Sequence, residues 1–457
     1  MSSRWLTVAC AAVVAACWGC GTSLQADGGL DGGGDAGAAD AGAGATPYVL
    51  GFGGLGNLPK REPAKAQAFL DAMGYASEGA YYDDVVARAR ALGAPMVRGH
   101  MYYTGNGTFV VEEIVPRVET AGDFEVYGWV NPIPPFEAAD AAFEAALDAL
   151  VRAHPGIRDW QLGNEPDLMW NQATAATNYP AFFVRGQQVV RAACPDCRIL
   201  LAGISNQYDS SSINFQVFEG FLDAIVAAGL PTRPFDVFDM HYYPSAPTRE
   251  AITGAAAAYR GMVESRGISG VDYWSTETGL YTGDPTAPGM DPRTEEDQAR
   301  DLARMVAWMG EAGVRRIYWW TLIEEWGGFS DFFQNMGLVY NGLGEEASAS
   351  PPIAAGTRKK AHTTYELLAK ALRDVSGASR PAAGVYRFER AQGPVYVVFA
   401  EDGVTSVTLD GLASAQVQVQ VLVPDAQGQT PTTTLDVTAR TVAMEVDATP
   451  RLVTPAP

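Results

Sequence analysis

Cysteine and histidine are scarce in this 457-residue sequence, which contains five cysteines and four histidines. Three cysteines lie within the first twenty residues, so only Cys194 and Cys197 remain for the rest of the chain. With so few soft ligands we expect neither a metal nor a cofactor. The two cysteines are spaced C-x-x-C, but they follow a predicted helix rather than begin one. That order favours a local surface disulfide over a thioredoxin-like redox site.

Basic residues are also in deficit: 32 Lys and Arg stand against 53 Asp and Glu, a formal net charge of −21. Such an acidic surface repels nucleic acid phosphates and anionic lipid headgroups. We therefore expect no nucleic acid partner, and contact with a membrane only through an anchor.

The N-terminus has the pattern of a targeting segment. Arg4 precedes an apolar run from Trp5 to Ala16 that is too short to span a bilayer. The end of this run, Val14-Ala15-Ala16-Cys17, resembles a bacterial lipobox, in which the cysteine is lipidated after cleavage. Cys20 is a second candidate, and a plain secretory signal is the alternative. The interpretation places the protein at the cell envelope or outside the cell, lipid-anchored to a bacterial membrane.

Composition divides the chain into four parts. Residues 1–20 are the predicted lipoprotein signal peptide, and residues 21–46 are a Gly-, Ala- and Asp-rich tether with too little apolar surface to fold. Residues 47–375 alternate strand-like and helical runs, and residues 376–457 contain short β-like runs separated by turn residues. We predict a catalytic barrel followed by a small antiparallel β-sandwich.

The middle part contains eight apolar strand-like runs with amphipathic helical runs between them, an α/β pattern typical of a (β/α)8 TIM barrel. A doubly wound sheet is disfavoured because no strand is followed by a glycine-rich phosphate fingerprint. The predicted strands are Val49–Gly53, Met96–Met101, Glu125–Asn131, Asp159–Gly163, Ile199–Gly203, Asp236–His241, Asp272–Thr276 and Arg316–Thr321.

Two glutamates end barrel strands, where TIM barrels carry their active sites. The fourth strand ends in Gly163-Asn164-Glu165-Pro166, and the seventh in Trp274-Ser275-Thr276-Glu277. Retaining glycoside hydrolysis requires two carboxyl groups about 5–5.5 Å apart, one as nucleophile and one as proton donor. Pro166 should hold Glu165 in an extended conformation.

These motifs resemble those of clan A glycoside hydrolases, and Val97-Arg98-Gly99-His100 resembles the second strand of family 39 enzymes, the β-xylosidases and iduronidases. The resemblance covers the whole barrel. It implies that Glu165 is the acid/base and Glu277 the nucleophile, and that Asn164 binds the sugar 2-hydroxyl. It also implies that the strand-six residues His241 and Tyr243 contact the nucleophile and the sugar.

Further candidate site residues are a cation and aromatic side chains near strand exits. Arg98 is expected to hydrogen-bond the nucleophile and keep it ionised. Trp129, Trp319 and Trp320 offer faces on which sugar C–H groups stack. We therefore predict a retaining enzyme that acts on a poly- or oligosaccharide. The alternative is a non-catalytic carbohydrate-binding lipoprotein, which the presence of both carboxylates disfavours.

Overall fold

The structure, a computed structural model, describes residues 47–56, 58, 63–132, 141–169, 172–205, 213–230, 233–284, 290–325, 331–343 and 351–456. The predicted signal peptide and tether, with Cys17 and Cys20, lie outside the described residues. Within the described part of the chain, no helix combines the length and apolar character needed to cross a membrane.

Eight parallel strands close into a barrel, which confirms the predicted fold class. The sheet runs in the order β1-β9-β8-β7-β6-β5-β4-β2, and pairing between β1 and β2 closes it. A short ninth strand, β3, pairs antiparallel with the end of β2. The strands are β1 (Val49–Gly54), β2 (Met96–Tyr103), β3 (Phe109–Val111), β4 (Glu125–Pro132), β5 (Asp159–Leu162), β6 (Arg198–Leu201), β7 (Val237–Tyr242), β8 (Asp272–Thr278) and β9 (Val314–Trp320).

Side chains from alternate strand positions fill the barrel interior, so the barrel is a packed core and not a pore. The other strand face packs against the helices, which bury their apolar sides there. The inner layer consists of Met96, Tyr127, Trp129, Leu200, Val237, Trp274 and Tyr318. The helices of the barrel domain are α1 (Pro63–Met73), α2 (Glu78–Ala91), α3 (Ile114–Ala121), α4 (Ala141–Ala153), α5 (Pro166–Met169), α6 (Gln172–Ala193), α7 (Ile213–Ala227), α8 (Arg249–Glu264), α9 (Glu295–Glu311), α10 (Asp331–Gln334) and α11 (Lys360–Ala371).

Local sequence explains where the clearest helices begin. Thr294 accepts a hydrogen bond from the backbone N–H of Asp297, whose carboxylate accepts one in return, and this capping box starts α9. Ser77 and Thr248 cap α2 and α8 with their hydroxyl oxygens.

The C-terminal part forms two antiparallel sheets, as expected for the small β-sandwich. Two of its strands, β10 and β17, were not apparent from the alternation of the sequence. The strands are β10 (Gly377–Ala382), β11 (Val385–Glu389), β12 (Val395–Val398), β13 (Thr405–Leu409), β14 (Gln416–Val421), β15 (Thr432–Asp436), β16 (Val442–Val446) and β17 (Arg451–Pro455).

This β-domain packs on the barrel through α9. The indole N–H of Trp308 donates to the hydroxyl of Tyr386 over 2.8 Å, and its ring meets Phe399 edge-on. Gly310 leaves room for Phe388, because a Cβ there would lie 2.8 Å from that ring.

Cys194 and Cys197 form a disulfide between the end of α6 and the start of β6. The expectation of a surface location is wrong for Cys197, which is buried, while Cys194 is half-buried. The reason is that β6 starts at the next residue and enters the core immediately.

Candidate active site

A bulge in β8 directs Glu277 into the barrel mouth. Trp274 pairs with Asp239 and fills the barrel interior, and three residues later Glu277 pairs with His241. In a regular strand, residues three apart point to opposite faces. Because three residues of β8 span two of β7, the strand takes up one extra residue, and Glu277 lies on the same inner face as Trp274.

Asp239 holds this bulge in place. One of its carboxylate oxygens, Oδ1, accepts the backbone N–H of Thr276 over 2.8 Å. The other, Oδ2, accepts the Thr276 hydroxyl over 2.5 Å and the Gln161 amide N–H over 2.5 Å. Asp239 has no solvent exposure, so these bonds replace its lost hydration. A single carboxylate thus ties together β5, β7 and β8, the strands that lead to the predicted catalytic groups.

His241 links the two glutamates. Its Nδ1 lies 2.7 Å from Oε1 of Glu165 and 3.5 Å from Oε2 of Glu277, and its Nε2 lies 3.3 Å from Oδ2 of Asp239. Burial lowers the pKa of His241, but the charges of Glu277 and Asp239 and the hydrogen bonds outweigh burial and raise it well above its usual range. The imidazole is therefore a buried cation surrounded by three carboxylates.

Gly203 makes room for this imidazole. A Cβ at this position would lie 2.1 Å from Nε2 of His241 and 2.6 Å from Oδ2 of Asp239. Any side chain here would displace the pair, so the position two residues beyond the end of β6 must be glycine.

Glu277 lies among donors that favour its ionised form. Arg98 donates to Oε1, and the hydroxyl of Tyr243 donates to Oε2 over 2.8 Å. Burial raises the pKa of Glu277, but the charges of His241 and Arg98, with these hydrogen bonds, outweigh burial and lower it to about 2. Glu277 is thus a carboxylate at any ordinary pH, as a nucleophile requires.

Glu165 lies in a sharp turn between β5 and α5. Its φ is +36°, so the expectation that Pro166 holds it extended is wrong. Its N–H donates to the carbonyl of Gly203 over 3.1 Å, and its own carbonyl accepts the N–H of Leu168 over 2.9 Å. These bonds hold a conformation that costs a non-glycine residue on the order of 1–3 kcal/mol.

Glu165 and Glu277 approach each other at the mouth. One oxygen of each carboxylate and a ring nitrogen of His241 all lie within 4.8 Å of one another. The Glu165 side chain is 14% exposed and that of Glu277 is 11% exposed, so both remain accessible from the cleft. Three such donors could in principle share a metal ion, but the guanidinium of Arg98 on Glu277 and the raised pKa of His241 oppose cation binding.

Two tryptophans form an aromatic wall beside Glu277. Trp129 stacks on the guanidinium of Arg98 at 3.9 Å and donates its indole N–H to the carbonyl of Gly163 over 3.0 Å. Trp320 is half-buried. His100 lies between them, with ring centres 4.5 Å from Trp129 and 6.4 Å from Trp320. We name Trp129, His100 and Trp320 the aromatic wall.

Trp319 does not belong to this wall, which corrects its prediction as a sugar-binding residue. It is buried in the core between barrel and helices, where its indole N–H donates to the carbonyl of Met336 over 3.1 Å. The cause is strand alternation: Tyr318 faces the barrel interior, so Trp319 faces outward and Trp320 faces the mouth.

Arg98 and Asn164, also predicted to bind substrate, lie under the carboxylates. Arg98 is 1% exposed, and its second terminal nitrogen donates to the Asn164 amide oxygen over 2.6 Å. Arg98 therefore contacts Glu277 directly, and Asn164 contacts Arg98.

Gln161 and Asp239 were not singled out from the sequence. The signal for Asp239 was present, since it precedes His241 by two residues and so shares its strand face.

Comparison with protein-family models finds no match, and comparison with curated proteins finds none. Solved structures do match. A glucosidase from Croceicoccus marinus aligns with a TM-score of 0.58 at 13% identity, over 90% of this chain and 97% of that one. A glycoside hydrolase family 30 subfamily 8 xylanase from Clostridium acetobutylicum aligns with a TM-score of 0.52 at 12% identity, over 90% and 96%.

The fold is that of glycoside hydrolases. Since the alignments cover nearly the whole of both chains, the similarity includes the β-domain as well as the barrel. At 12–13% identity the similarity concerns the fold alone. Because one fold can carry many reactions, the catalytic chemistry depends on the side chains at the mouth of the barrel.

The charge on His241 can be tested with Asp239→Asn. Removing the Asp239 charge should lower the pKa of His241, so its imidazolium should lose a proton at a lower pH than in the wild type. Histidine-selective 15N NMR is suited to this, because the chain has four histidines. Burial lowers the pKa of His100 to about 3 and that of His362 to about 4, so neither forms an imidazolium near pH 8.

Wild-type protein should show an imidazolium signal at about pH 8 that survives His154→Gln and weakens in Asp239→Asn. Asp123→Asn, an exposed aspartate paired with Arg90, is the control and should leave it unchanged. A neutral His241 at pH 8 in the wild type would contradict the assigned charge.

The role of Arg98 can be tested with Arg98→Met, which keeps the length of the side chain but removes its charge. Losing the cation should raise the pKa of Glu277 by about 1–3 units and move the acidic limb of the kcat/KM profile to higher pH by the same amount. Arg90→Met, at the surface, is the control, and thermal unfolding checks that the buried substitution folds. A folded Arg98→Met with an unchanged acidic limb would show that Arg98 does not set this ionisation.

Proposed function

We propose that this protein is a retaining glycoside hydrolase that cleaves O-glycosidic bonds of a poly- or oligosaccharide by double displacement. The observation that carries the proposal is the approach of Glu165 and Glu277, whose oxygens lie within 4.8 Å around one imidazole. Two carboxyl groups with oxygens this close are compatible with the separation of about 5–5.5 Å used by retaining enzymes, whereas inverting enzymes typically place the two groups about 6.5–9.5 Å apart to leave room for a water. The glycoside hydrolase fold supports the same conclusion.

In the first step, Glu277 attacks the anomeric carbon as the bond to the leaving oxygen breaks. Glu165 gives its proton to that oxygen, and a covalent glycosyl ester forms on Glu277. In the second step, Glu165 takes a proton from water as the water attacks the anomeric carbon and releases Glu277. Each step inverts the anomeric carbon, so the product retains the starting configuration.

The surroundings of Glu277 suit its role as nucleophile. Arg98, Tyr243 and His241 keep Glu277 ionised before attack. His241 donates a hydrogen bond to Glu165 and lies 3.5 Å from Glu277. Because it contacts both carboxylates, the protonation state of one affects the protonation of the other. The half-buried ring of Trp320 offers an apolar face for the C–H groups of a sugar ring.

A non-catalytic carbohydrate-binding barrel has no need for two carboxylates at catalytic separation with a strained turn under one of them. We therefore favour a catalytic function over carbohydrate binding alone.

We also propose, from the sequence pattern, that the protein is secreted and held on a bacterial membrane by a lipid on Cys17 or Cys20.

The two roles predict opposite results in azide rescue. Glu277→Ala should lower turnover of an aryl glycoside by a factor on the order of 10⁴ or more. Azide should then occupy the space of the lost carboxylate and yield a glycosyl azide of inverted configuration. Glu165→Ala should lose on the order of 10²–10⁴-fold on substrates with poor leaving groups. Azide should then attack the glycosyl ester and yield a glycosyl azide of retained configuration.

Product configuration is read by NMR, with Glu113→Ala, an exposed neighbour of the barrel mouth, as the control. Near wild-type activity in Glu277→Ala would contradict the proposal. If Glu277→Ala instead gives the retained azide and Glu165→Ala the inverted one, then Glu165 is the nucleophile and Glu277 the acid/base.

A further inference from the structure

We infer that Asp167 is a positioning residue, which holds the proposed acid/base Glu165 in place through a buried bridge to Ser205. The inference rests on the proposed glycosidase function and concerns the turn that presents Glu165 to the mouth. Three observations support it: the burial of Asp167, the circuit of hydrogen bonds that the bridge closes, and the strained backbone inside that circuit.

Asp167 has a carboxylate with no exposed surface and no cation beside it. Its Oδ1 accepts the backbone N–H of Ser205 over 3.2 Å, and its Oδ2 accepts the hydroxyl of the same residue. Among the described residues, no Lys, Arg or His pairs with Asp167. Ser205, itself buried, therefore supplies hydrogen bonds that replace part of the lost hydration of this carboxylate.

The bridge is one of two attachments that join the turn after β5 to the segment after β6. The N–H of Glu165 donates to the carbonyl of Gly203 over 3.1 Å, and two residues further along both segments Asp167 accepts from Ser205. Pro166, in the middle of the turn, has no N–H to donate. The side chain of Asp167 therefore makes the second attachment.

The segment that receives the bridge also holds His241. The carbonyl of Ile204 accepts the N–H of His241 over 3.1 Å, and Nδ1 of His241 lies 2.7 Å from Oε1 of Glu165. Together with the bridge, these bonds form a closed circuit that begins and ends in the catalytic turn. Moving either end of the bridge would therefore move the carboxyl group of Glu165 relative to the imidazole.

The backbone inside the circuit needs this support. Glu165 has a φ of +36°, a conformation that persists only where the surrounding structure over-determines it. The helix that follows, α5, has only four residues, too few to hold the turn by itself. Without the bridge we expect the turn to relax at Asp167 and to displace the carboxyl group of Glu165.

The bridge does not depend on the charge of Asp167. Burial, opposed by the hydrogen bonds from Ser205 and aided by the charge of Glu165, raises the pKa of Asp167 to about 7. The ionised carboxylate accepts both bonds, and the protonated form can donate to the hydroxyl oxygen while it still accepts the N–H. An asparagine amide has the same capacity. Asp167→Asn should therefore keep the bridge, whereas Asp167→Ala removes it.

The experiment separates positioning of the proton donor from a general loss of structure. Phenyl and 2,4-dinitrophenyl β-glycosides of glucose, galactose and xylose differ in their need for a proton, because dinitrophenolate leaves without one. Asp167→Ala should lower kcat/KM about 10–100-fold for the phenyl glycoside and less than about threefold for the dinitrophenyl glycoside. Asp167→Asn should stay within about threefold of the wild type on both.

Two further substitutions complete the comparison. Ser205→Ala removes the hydroxyl end of the bridge and should lower kcat/KM for the phenyl glycoside selectively, by less than Asp167→Ala does. The double variant should be no worse than Asp167→Ala, because the two changes remove one shared interaction. Asp159→Asn is the control, since Asp159 is buried at the start of β5 and pairs with Arg198 and Arg316. It should lower the thermal unfolding temperature and leave the ratio between the two substrates unchanged.

Equal losses on both substrates in Asp167→Ala would overturn the inference while leaving the glycosidase proposal intact. So would an Asp167→Asn variant as selectively impaired as Asp167→Ala, because the effect would then belong to the charge and not to the bridge. If Asp167→Ala does not fold, Ser205→Ala decides, and an unchanged substrate ratio in that folded variant would contradict the inference.

If the wild-type protein cleaves no glycoside of the panel, the glycosidase proposal fails, and proton NMR decides the inference alone. The proton between Nδ1 of His241 and Glu165 should give a downfield signal, identified by its loss in Glu165→Ala. The signal should be lost or displaced in Asp167→Ala and kept in Asp167→Asn and Asp159→Asn. An unchanged signal in Asp167→Ala would show that Asp167 does not position Glu165.

Discussion

The active site depends on the hydrogen bonds that the buried carboxylate of Asp239 accepts from Thr276. Those two bonds fix an extra residue in β8, and the extra residue is what brings Glu277 to the inner face of the barrel. The same carboxylate lies against His241 and accepts from Gln161. One anion therefore sets both the direction of the proposed nucleophile and the charge of the imidazole that joins it to Glu165.

The interior of the mouth is a balanced set of buried charges. Glu277 and Asp239 are anions, Arg98 and His241 are cations, and none of the four is more than slightly exposed. Removing one partner of such a set leaves another buried and uncompensated, which is commonly destabilising by about 3–5 kcal/mol. The balance explains why a carboxylate can stay ionised at this depth.

Strand positions were the part of the structure that the sequence predicted best. Apolar runs between helical segments located all eight barrel strands, because buried parallel strands are nearly continuously apolar. The rule that active sites lie at the carboxyl ends of barrel strands then brought Glu165 and Glu277 together. The family resemblance assigned their roles, which remain predictions.

Other features depended on contacts between strands. The bulge before Glu277 follows from how β8 pairs with β7, and no pattern within Trp274-Ser275-Thr276-Glu277 reveals it. The positive φ of Glu165 is held by a hydrogen bond to the carbonyl of Gly203, which lies just beyond the end of the neighbouring strand β6. Trp319 was a different error: strand alternation allows only one of two adjacent tryptophans to face the mouth, and counting from Tyr318 would have selected Trp320.

The most direct test of the account is to trap the glycosyl ester. The protein would be treated with a 2-deoxy-2-fluoro glycoside that carries an activated leaving group and has the sugar of the best substrate, then digested and analysed by mass spectrometry. The account predicts one added fluoroglycosyl group, on the peptide that contains Glu277 and on that side chain. A label on another carboxylate, or turnover of the parent glycoside without any trapped ester, would contradict it.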